Sequence, residues 1–411
     1  MSKPLKIIFA SFIGDVKHTT KGFVKKDLEK VDSLNNIDGV SCLGVSLSDE
    51  IENDYFYSDN FFVKKTPKSK RYKFFGSWYQ NILEFKNLSS FLDANNFDVA
   101  LFRYVIASRS LYKLTKRHKN KIIFEHNCFE YEEELLGITN RRKELKFSLK
   151  PGYFFYYLEG KVWPLFCEKY YGPKIRSLAK AGFSVTKEIA IHEQSLSKNY
   201  KNLVVTNGIK YNSSLLQNPP LYNGRELNLF MLLGTGAPWH GVDRLLRGLV
   251  NYKGKLKINI DIIGYYNESD LVYSKKVGLG NQVLFIDPIV GDSLNEKINK
   301  YHISVGTLAL HRKKLKEATP LKVRESLMRG IPNIIAYDDT DFMEPSIIND
   351  FILKLPADES PIDFNEIERF ADKILVRENY TELISKLAKP IIDFEIKALQ
   401  MVDFIKQEFS V

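Results

Sequence analysis

Short apolar runs alternate with stretches of helical periodicity along most of this chain. Residues 6–12, 99–102 and 121–124 have the composition of buried strands, and residues 24–34 repeat their apolar positions with the period of a helix. Alternation of this kind is typical of parallel β-sheets that carry helices on both faces. The pattern therefore predicts an α/β protein.

The alternation stops between positions 206 and 225, where turn-forming residues are most concentrated. It resumes with strands that we predict at residues 227–233, 257–263, 282–286 and 303–306. With 411 residues the chain is too long for one ordinary core. We therefore predict two α/β domains with a linker that begins at position 206, and ligands that bind beyond the carboxyl ends of the strands.

Two signals mark helix ends in the second half. Ser293 and Glu296 have the spacing of a capping box, which predicts a helix that begins there and runs to Tyr301. From Tyr380 onward the chain has the pattern of helices that break near Pro390, because proline disrupts a helix interior.

The composition is that of a soluble globular protein, with 44% hydrophobic and 27% charged residues and no apolar run long enough to span a bilayer. No signal-peptide pattern precedes the first predicted strand, so we expect a cytoplasmic protein. Three widely spaced cysteines predict neither a disulfide framework nor a metal knuckle. The seven histidines lack metal-binding spacing as well.

The formal net charge of +10 predicts attraction to phosphates on a substrate, an anionic lipid or a nucleic acid. Basic residues cluster at positions 64–73 and 141–150, and aromatic residues follow each cluster. This mixture is typical of a membrane interface, of single-stranded nucleic-acid binding, or of a solvated face above core aromatics. We expect an anionic membrane surface as a partner and no nucleic acid, since the clusters lie outside any recognised motif.

The segment from position 317 to 332 carries the strongest chemical signal. Thr319 suits an N-cap, Pro320 the first helical position and Gly330 the C-terminal stop, so a helix is predicted between them. Glu317 then lies in a loop just before the helix, at the mouth of the expected cleft.

Lys322 falls in the first turn of this helix, and Glu325 lies three residues further along the same face. A helix N-terminus offers free N–H groups and partial positive charge, to which Lys322 adds a full charge. The arrangement fits a diphosphate, with Glu325 placed to accept hydrogen bonds from a ribose and Glu317 placed to reach a sugar. A surface helix with a solvated Lys–Glu pair has the same local sequence.

A glycine-rich turn follows the first strand of the second domain. It contains Gly234, Thr235 and Gly236, and His240 stands where the next predicted helix starts. Trp239 occupies the place where a dinucleotide fingerprint requires glycine, and the absence of a following Gly-Lys-Ser/Thr excludes a P-loop. The turn still lets a ligand approach the backbone closely, and the position of His240 favours a phosphate or sugar contact.

Together these segments resemble the retaining glycosyltransferases of the GT-B fold, most closely the large family 4 (group 1) that builds cell-surface polysaccharides and glycolipids. Glu317 and Glu325 match its Glu-x7-Glu motif. Residues 206–209, 238–243 and 330–332 are similar to its linker, its strand-to-helix turn and the strand after its nucleotide helix. The resemblance covers residues 206–336 well and is fainter in the first half.

The resemblance implies a fold and an activity. Two Rossmann-like domains would face each other across a cleft: an acceptor-binding domain of residues 1–205, joined by a C-terminal helix from about 390 to 411, and a nucleotide-sugar-binding domain of residues 206–389. The enzyme would move a sugar from a nucleotide diphospho-sugar to a hydroxyl of a glycan or lipid-linked acceptor. The expected process is bacterial surface polysaccharide biosynthesis, and the anomeric configuration would be retained.

The resemblance also implies roles for single residues. Glu325 would bind the ribose, Lys322 the diphosphate and Glu317 the donor sugar, while His126 would lie near the reacting face of that sugar. Glu317, Lys322 and His126 are therefore the predicted catalytic residues. The donor-binding set further contains Gly234, Thr235, Gly236, His240, Thr319 and Leu321. The acceptor-side set contains Gly22, in a loop that would close over both substrates, with Arg103 and Glu125.

One departure from the family's pattern concerns the glycine-rich turn. The family often has a basic residue after the first glycine and lysine before the last, where this chain has Thr235 and His240. Neutralisation of the diphosphate would then depend on Lys322, helix N-termini and Arg312. These groups replace a metal, so we expect no metal and no cofactor. The acidic run at 338–341 is similar to a metal motif of the other transferase fold, but its place after a strand favours a turn.

Two other interpretations stay open. Another GT-B enzyme, such as an inverting transferase or a nucleotide-sugar epimerase, would have the same architecture. A non-catalytic GT-B subunit that binds sugar nucleotide or scaffolds a complex is the second, and the presence of both glutamates and Lys322 argues against it.

Overall fold

The computed structural model describes residues 3–11, 21–48, 51, 53–66, 76–133, 135 and 162–409, with the backbone alone at 21–25 and 76–80. The chain divides into two compact units. The first unit comprises Met1–Thr206 and Phe394–Val411, and the second comprises Asn207–Asp393. Within the described ranges, no helix is both long enough and apolar enough to cross a membrane.

The described part of the first unit contains one eight-stranded sheet, in the order β3-β4-β2-β1-β5-β6-β7-β8. Its strands are β1 (Leu5–Ser11), β2 (Val40–Ser48), β3 (Tyr55–Ser58), β4 (Phe61–Lys65), β5 (Val99–Arg103), β6 (Ile122–His126), β7 (Ala181–Ser184) and β8 (Asn202–Val204). Neighbouring strands are parallel except β3 and β4, which form an antiparallel edge. The strand order reverses between β1 and β5, which makes their carboxyl ends a switch point of the kind where ligands bind.

Helices cover both faces of this sheet. They are α1 (Lys21–Asn35), α2 (Gly76–Ala94), α3 (Arg109–Arg117), α4 (Trp163–Leu178), α5 (Lys187–Leu196) and the C-terminal helix (Phe394–Phe409). Leu5, Ile7 and Phe9 of β1 share one apolar cluster with the C-terminal helix, whereas Ile8 and Ala10 share the other cluster with α2 and α3. Alternate residues of β1 are thus buried on opposite faces, as expected for a parallel sheet with two covered faces.

The second unit contains a six-stranded sheet, parallel throughout, in the order β11-β10-β9-β12-β13-β14. Its strands are β9 (Glu226–Leu233), β10 (Lys257–Gly264), β11 (Val283–Ile286), β12 (Ile303–Val305), β13 (Asn333–Ile335) and β14 (Ile352–Lys354). Its helices are α6 (Val242–Asn251), α7 (Glu268–Lys276), α8 (Asp292–Ile298), α9 (Leu321–Met328), α10 (Phe364–Ile374) and α11 (Tyr380–Ile392). This is the Rossmann strand order, with its switch point between β9 and β12.

The predicted start and end of α8 and the predicted break at Pro390 are wrong. Helix α8 starts at Asp292 without a side-chain cap, because the amides of Leu294 and Asn295 bond to the Gly291 carbonyl instead. It also ends at Ile298, three residues before the predicted end. Pro390 does not break α11, which continues to the fully buried Ile392.

Candidate functional site

The glycine-rich turn leaves β9 at the switch point of the second sheet. Gly236 packs so closely on the next loop that a Cβ atom would lie 3.0 Å from the Tyr266 carbonyl carbon. Gly241 has a φ of 74° where α6 begins. A side chain at the first position would press against this loop, and the second position favours glycine because of its backbone conformation. Gly234 and Thr235 are exposed directly after the carboxyl end of β9.

Lys322 lies beside this turn. Its ammonium group donates a hydrogen bond to the Leu232 carbonyl over 2.7 Å and lies 3.6 Å from the place that a Cβ atom of Gly234 would occupy. Burial lowers the pKa of Lys322 to about 8, although the charge of Glu325 opposes this shift. An ammonium group has three N–H donors, so Lys322 brings positive charge and further donors to the end of β9.

His240 brings a polar ring to the same turn. Burial, together with the charges of Lys322 and Lys313, lowers the pKa of His240 to about 4. The ring is therefore neutral at neutral pH and can exchange hydrogen bonds without adding charge. Lys322 therefore supplies charge at the end of β9 that His240 does not.

The start of α9 differs from the prediction. Pro320 occupies the N-cap position and no side chain caps the helix. Thr319 is buried instead, and its carbonyl and hydroxyl accept hydrogen bonds from the Asn207 side chain over 2.9 and 3.2 Å. The N–H groups of Leu321 and Lys322 have no acceptor within the helix, which is the arrangement that favours an anion.

The two glutamates flank this helix start. Glu317 lies in the loop before α9, where its carboxylate accepts a hydrogen bond from the Thr340 hydroxyl over 3.0 Å. Glu325 is exposed on α9, within electrostatic range of Lys322. The helix ends at Met328, and Gly330 follows with a φ of 78°, which confirms the predicted stop.

Arg324 anchors the buried side of α9, and the sequence did not single it out. The guanidinium is fully buried and pairs with both oxygens of Asp339 and, over 2.7 Å, with Asp341. Asp338 pairs with Lys354. The acidic run at 338–341 therefore neutralises nearby cations and forms a turn, as its place after β13 predicted.

Arg312 has no donor left for a phosphate. Its five N–H groups donate to Asp243 (2.7 and 2.9 Å), Glu359 (2.8 and 2.5 Å) and the Pro238 carbonyl (2.8 Å). The side chain thus supports the glycine-rich turn from outside. This contact pattern corrects the expectation that Arg312 would meet the diphosphate directly.

Arg103 and Glu125 lie side by side at the carboxyl ends of β5 and β6 in the first unit. Lys30 donates to the two carboxylate oxygens of Glu125 over 2.7 and 2.6 Å. Burial raises the pKa of this carboxyl, but Lys30 and Lys26 outweigh burial and hold it at about 2. Glu125 is therefore an ionised, buried and fully paired group.

Gly22 is in the first turn of α1 and not in a loop. A glycine costs a helix only about 1 kcal/mol, so it does not prevent the helix from starting at Lys21. The rest of the predicted loop, residues 12–20, lies outside the described residues.

The structure also corrects the placement of His126, whose ring is completely buried at the end of β6. Its Nε2 atom lies 2.9 Å from the Tyr200 hydroxyl, and its Nδ1 atom lies 3.2 Å from Glu193 and 3.5 Å from Glu130. Burial lowers the pKa of His126 to about 4. A neutral ring with no exposed surface cannot contact a sugar, so the predicted catalytic contact has no support here.

Further charges complete a buried polar network around this ring. Arg176 pairs with Glu193 over 2.5 Å and with Glu168 over 2.8 Å, and the Tyr104 hydroxyl donates to Glu168 over 2.9 Å. The His126 cluster consists of Tyr104, His126, Glu130, Glu168, Arg176, Glu193 and Tyr200. Sequence reasoning found only His126, because the other members are spread over 97 positions and share no motif.

No family model and no curated protein matches the sequence. Solved structures match it over nearly its whole length. The apo form of WaaB, a lipopolysaccharide outer core galactosyltransferase, has a TM-score of 0.63 at 14% identity, with coverage of 98% of this chain and 100% of that chain. Sucrose-phosphate synthase from Thermosynechococcus elongatus has a TM-score of 0.63 at 13% identity, with 99% of each chain covered.

A third neighbour was solved with a ligand. Anabaena HepE in complex with UDP-glucose has a TM-score of 0.60 at 12% identity, with coverage of 98% of this chain and 100% of that chain. These neighbours are glycosyltransferases of the GT-B fold. The chain therefore has the GT-B fold, as the sequence predicted.

Proposed function

We propose that this chain is a retaining glycosyltransferase that moves a sugar from a nucleotide diphospho-sugar to a hydroxyl of a glycan or lipid-linked acceptor in bacterial surface polysaccharide biosynthesis. One observation carries the proposal: Lys322, at the first turn of α9, lies against the exposed turn at the end of β9. The UDP-glucose complex of HepE and the lipopolysaccharide substrate class of WaaB support the donor and acceptor classes.

In the proposed reaction the leaving group is the nucleoside diphosphate. Lys322 and the free N–H groups at the start of α9 stabilise the charge that develops on its phosphates, which is the usual large contribution of preorganised donors. Glu325 binds the ribose and Glu317 holds hydroxyls of the sugar. The acceptor attacks on the face that the diphosphate leaves, and the departing phosphate takes the acceptor proton.

Replacement of Lys322 tests this function. Lys322→Ala should lower transfer by about 10²–10³-fold, because one preorganised contact to the developing charge is lost. Lys276→Ala, an exposed lysine at the end of α7, is the matched control and should keep full activity. Turnover is measured with a panel of nucleotide sugars chosen by thermal shift, since a ligand that binds only the folded state raises the melting temperature. Full transfer by Lys322→Ala or by Glu317→Gln would refute the assignment.

The product distinguishes the remaining alternatives. NMR of the new linkage should show the anomeric configuration of the donor, whereas the opposite anomer would identify an inverting enzyme. A donor that binds but never reacts with any acceptor would identify a non-catalytic subunit.

A membrane-bound acceptor is the finer part of the proposal. Residues 67–73 of the first basic cluster and all of the second cluster, residues 141–150, lie outside the described residues. Helix α4 presents an exposed aromatic stripe, defined as Trp163, Phe166 and Tyr170, whose neighbouring ring centroids are 5.5 and 6.2 Å apart. The Lys174 ammonium lies 3.4 Å from the Tyr170 ring centroid. Aromatic rings beside lysines suit an anionic bilayer surface.

Sedimentation with vesicles tests this surface. The protein should sediment with vesicles that contain phosphatidylglycerol and much less with pure phosphatidylcholine. Phe166→Ser should weaken sedimentation, while Val376→Ser, which changes an exposed apolar residue of the second unit, should not. Equal sedimentation of both variants would exclude the aromatic stripe as the contact.

A further inference from the structure

The His126 cluster contains three possible metal-ligand atoms that have no role in the proposed transfer reaction. We propose that His126, Glu130 and Glu193 bind one divalent transition-metal ion of the zinc class, in a structural site inside the first unit. The three ligands belong to the first unit, whereas the residues of the proposed donor site belong to the second, and the proposal does not depend on transfer activity.

The ligand atoms have the spacing of a coordination shell. The Nδ1 atom of His126 lies 3.2 Å from Glu193 Oε2 and 3.5 Å from Glu130 Oε1, and all three atoms lie within 4.8 Å of one another. Ligands at about 2.0–2.2 Å from a tetrahedral Zn²⁺ are roughly 3.3 Å apart. Small side-chain adjustments therefore suffice to close the three groups on one ion.

The Nδ1 atom of His126 is an independent observation that points to a ligand. It is buried and, among the described residues, has no hydrogen-bond partner, because the contact with Glu193 lacks hydrogen-bond geometry. Nε2 faces the Tyr200 hydroxyl. In the tautomer with the proton on Nε2, the ring donates to the Tyr200 hydroxyl and Nδ1 keeps a lone pair, as in metal-bound histidines whose other nitrogen is held by a partner.

The charges of the cluster also favour a dication. Arg176 supplies one positive charge against the carboxylates of Glu168 and Glu193, and burial raises the pKa of Glu130 to about 8, so Glu130 binds a metal only by giving up a proton. Buried charges are normally paired or bound to metals, and a divalent ion that displaces this proton would balance the resulting excess of two negative charges. Arg176 does not exclude the ion, because a carboxylate oxygen has two lone pairs and Glu193 Oε2 can serve both cations.

Mixed imidazole and carboxylate ligands suit zinc and its neighbours better than magnesium or calcium, which prefer oxygen alone. An ion at this place would tie the end of β6 and the helical residues 130–133 to α5. Its expected role is to hold the segment that follows β6.

Metal titration of the full chain tests the site. After chelation and dialysis, Zn²⁺ should bind with one ion per chain in calorimetry and raise the melting temperature, and Co²⁺ should give the visible absorption of a tetrahedral site. Glu130→Gln keeps the size of the side chain and removes a ligand charge, so Zn²⁺ affinity should fall by about 100-fold or more. Glu132→Gln makes the same change two residues away and should bind like the unaltered protein.

Two results would overturn the proposal: no stoichiometric Zn²⁺ binding by the unaltered chain, or equal binding by Glu130→Gln. If Glu130→Gln does not fold, X-ray absorption of the Zn²⁺-loaded natural chain decides, since it must show one imidazole with oxygen ligands. A spectrum without imidazole would refute the site. Transfer activity is not a readout in these measurements, so failure of the proposed function leaves their outcome unchanged.

Discussion

The cations at the carboxyl ends of the two sheets are satisfied in different ways. In the first unit, the Lys30 ammonium meets both oxygens of Glu125, so the two charges cancel inside the protein. In the second unit, Lys322 donates to the uncharged Leu232 carbonyl. A cation paired with a buried carboxylate mainly stabilises the fold, whereas one held by a carbonyl keeps its charge for an anionic ligand. The partner, and not the residue type, distinguishes the two lysines.

The largest expected effect comes from breaking the buried pair. Lys30→Met should lower the free energy of unfolding by about 3–5 kcal/mol, because it leaves the Glu125 carboxylate buried without its partner. Urea denaturation measures this loss.

The double variant Lys30→Met/Glu125→Gln supplies the control. It removes both charges and should recover a large part of the lost stability. If Lys30→Met alone is as stable as the natural chain, the pair does not have the structural role assigned to it.

The pH dependence of donor binding tests the second half of the comparison, which is the charge of Lys322. The pKa of Lys322 is lowered to about 8, so the ammonium group loses its proton above that pH. Binding of UDP, used as a probe because the HepE complex contains UDP-glucose, should therefore weaken about tenfold between pH 7 and pH 9 if only the charged form of Lys322 binds. Calorimetry at both pH values measures this change, and Lys322→Arg should show no such dependence because arginine stays charged.

The contribution of Lys322 to the free energy of unfolding should rise with pH, whereas the affinity for UDP should fall. The unfolded chain keeps this proton up to the ordinary lysine pKa of 10.5, whereas the folded chain loses it near 8. Between these values the unfolded state binds more protons, so the contribution of Lys322 to stability rises with pH. If both the UDP affinity and the contribution of Lys322 to stability fell as the pH rose, this result would contradict the lowered pKa of Lys322.

The smallest effect on stability is expected at Arg312, which supports the glycine-rich turn from outside. Glu359→Gln weakens one exposed partner of Arg312 and should cost about 1 kcal/mol or less, with little change in UDP affinity. Arg312→Lys should lower the melting temperature and leave UDP affinity within a few fold. A large loss of UDP affinity in Arg312→Lys with an unchanged melting temperature would instead support the original expectation that Arg312 contacts the diphosphate directly.

The sequence predicted features that depend on neighbouring residues. The alternation of strands and helices gave the fold class, and the signals of Thr319, Pro320 and Gly330 located a helix that the structure contains. The same local signals were wrong at Thr319, because Asn207, 112 positions away, binds its hydroxyl and carbonyl. Competition from distant residues cannot be seen in a local capping pattern.

The His126 cluster shows the same limit at a larger scale. Its members come from five separate parts of the chain, and only the folded sheet brings β6, α4 and α5 together. Burial of His126 could not be read from its position after a strand, which is equally the place of an exposed ligand contact. Likewise, the charge of Arg312 was visible in the sequence, but its saturation by Asp243 and Glu359 was not.

The C-terminal helix has a consequence for how the protein is made. Phe394, Ala398 and Met401 pack in the same apolar cluster as Leu5 and Ile7, although nearly four hundred residues separate them in the chain. During synthesis the ribosome delivers the whole second unit before this helix emerges. Helix α1 covers part of this sheet face, but the nascent first unit must wait with the rest of it exposed, the kind of surface that chaperones protect. Strand β1 and the C-terminal helix, which pack in one apolar cluster, are thus synthesised at the beginning and at the end of translation.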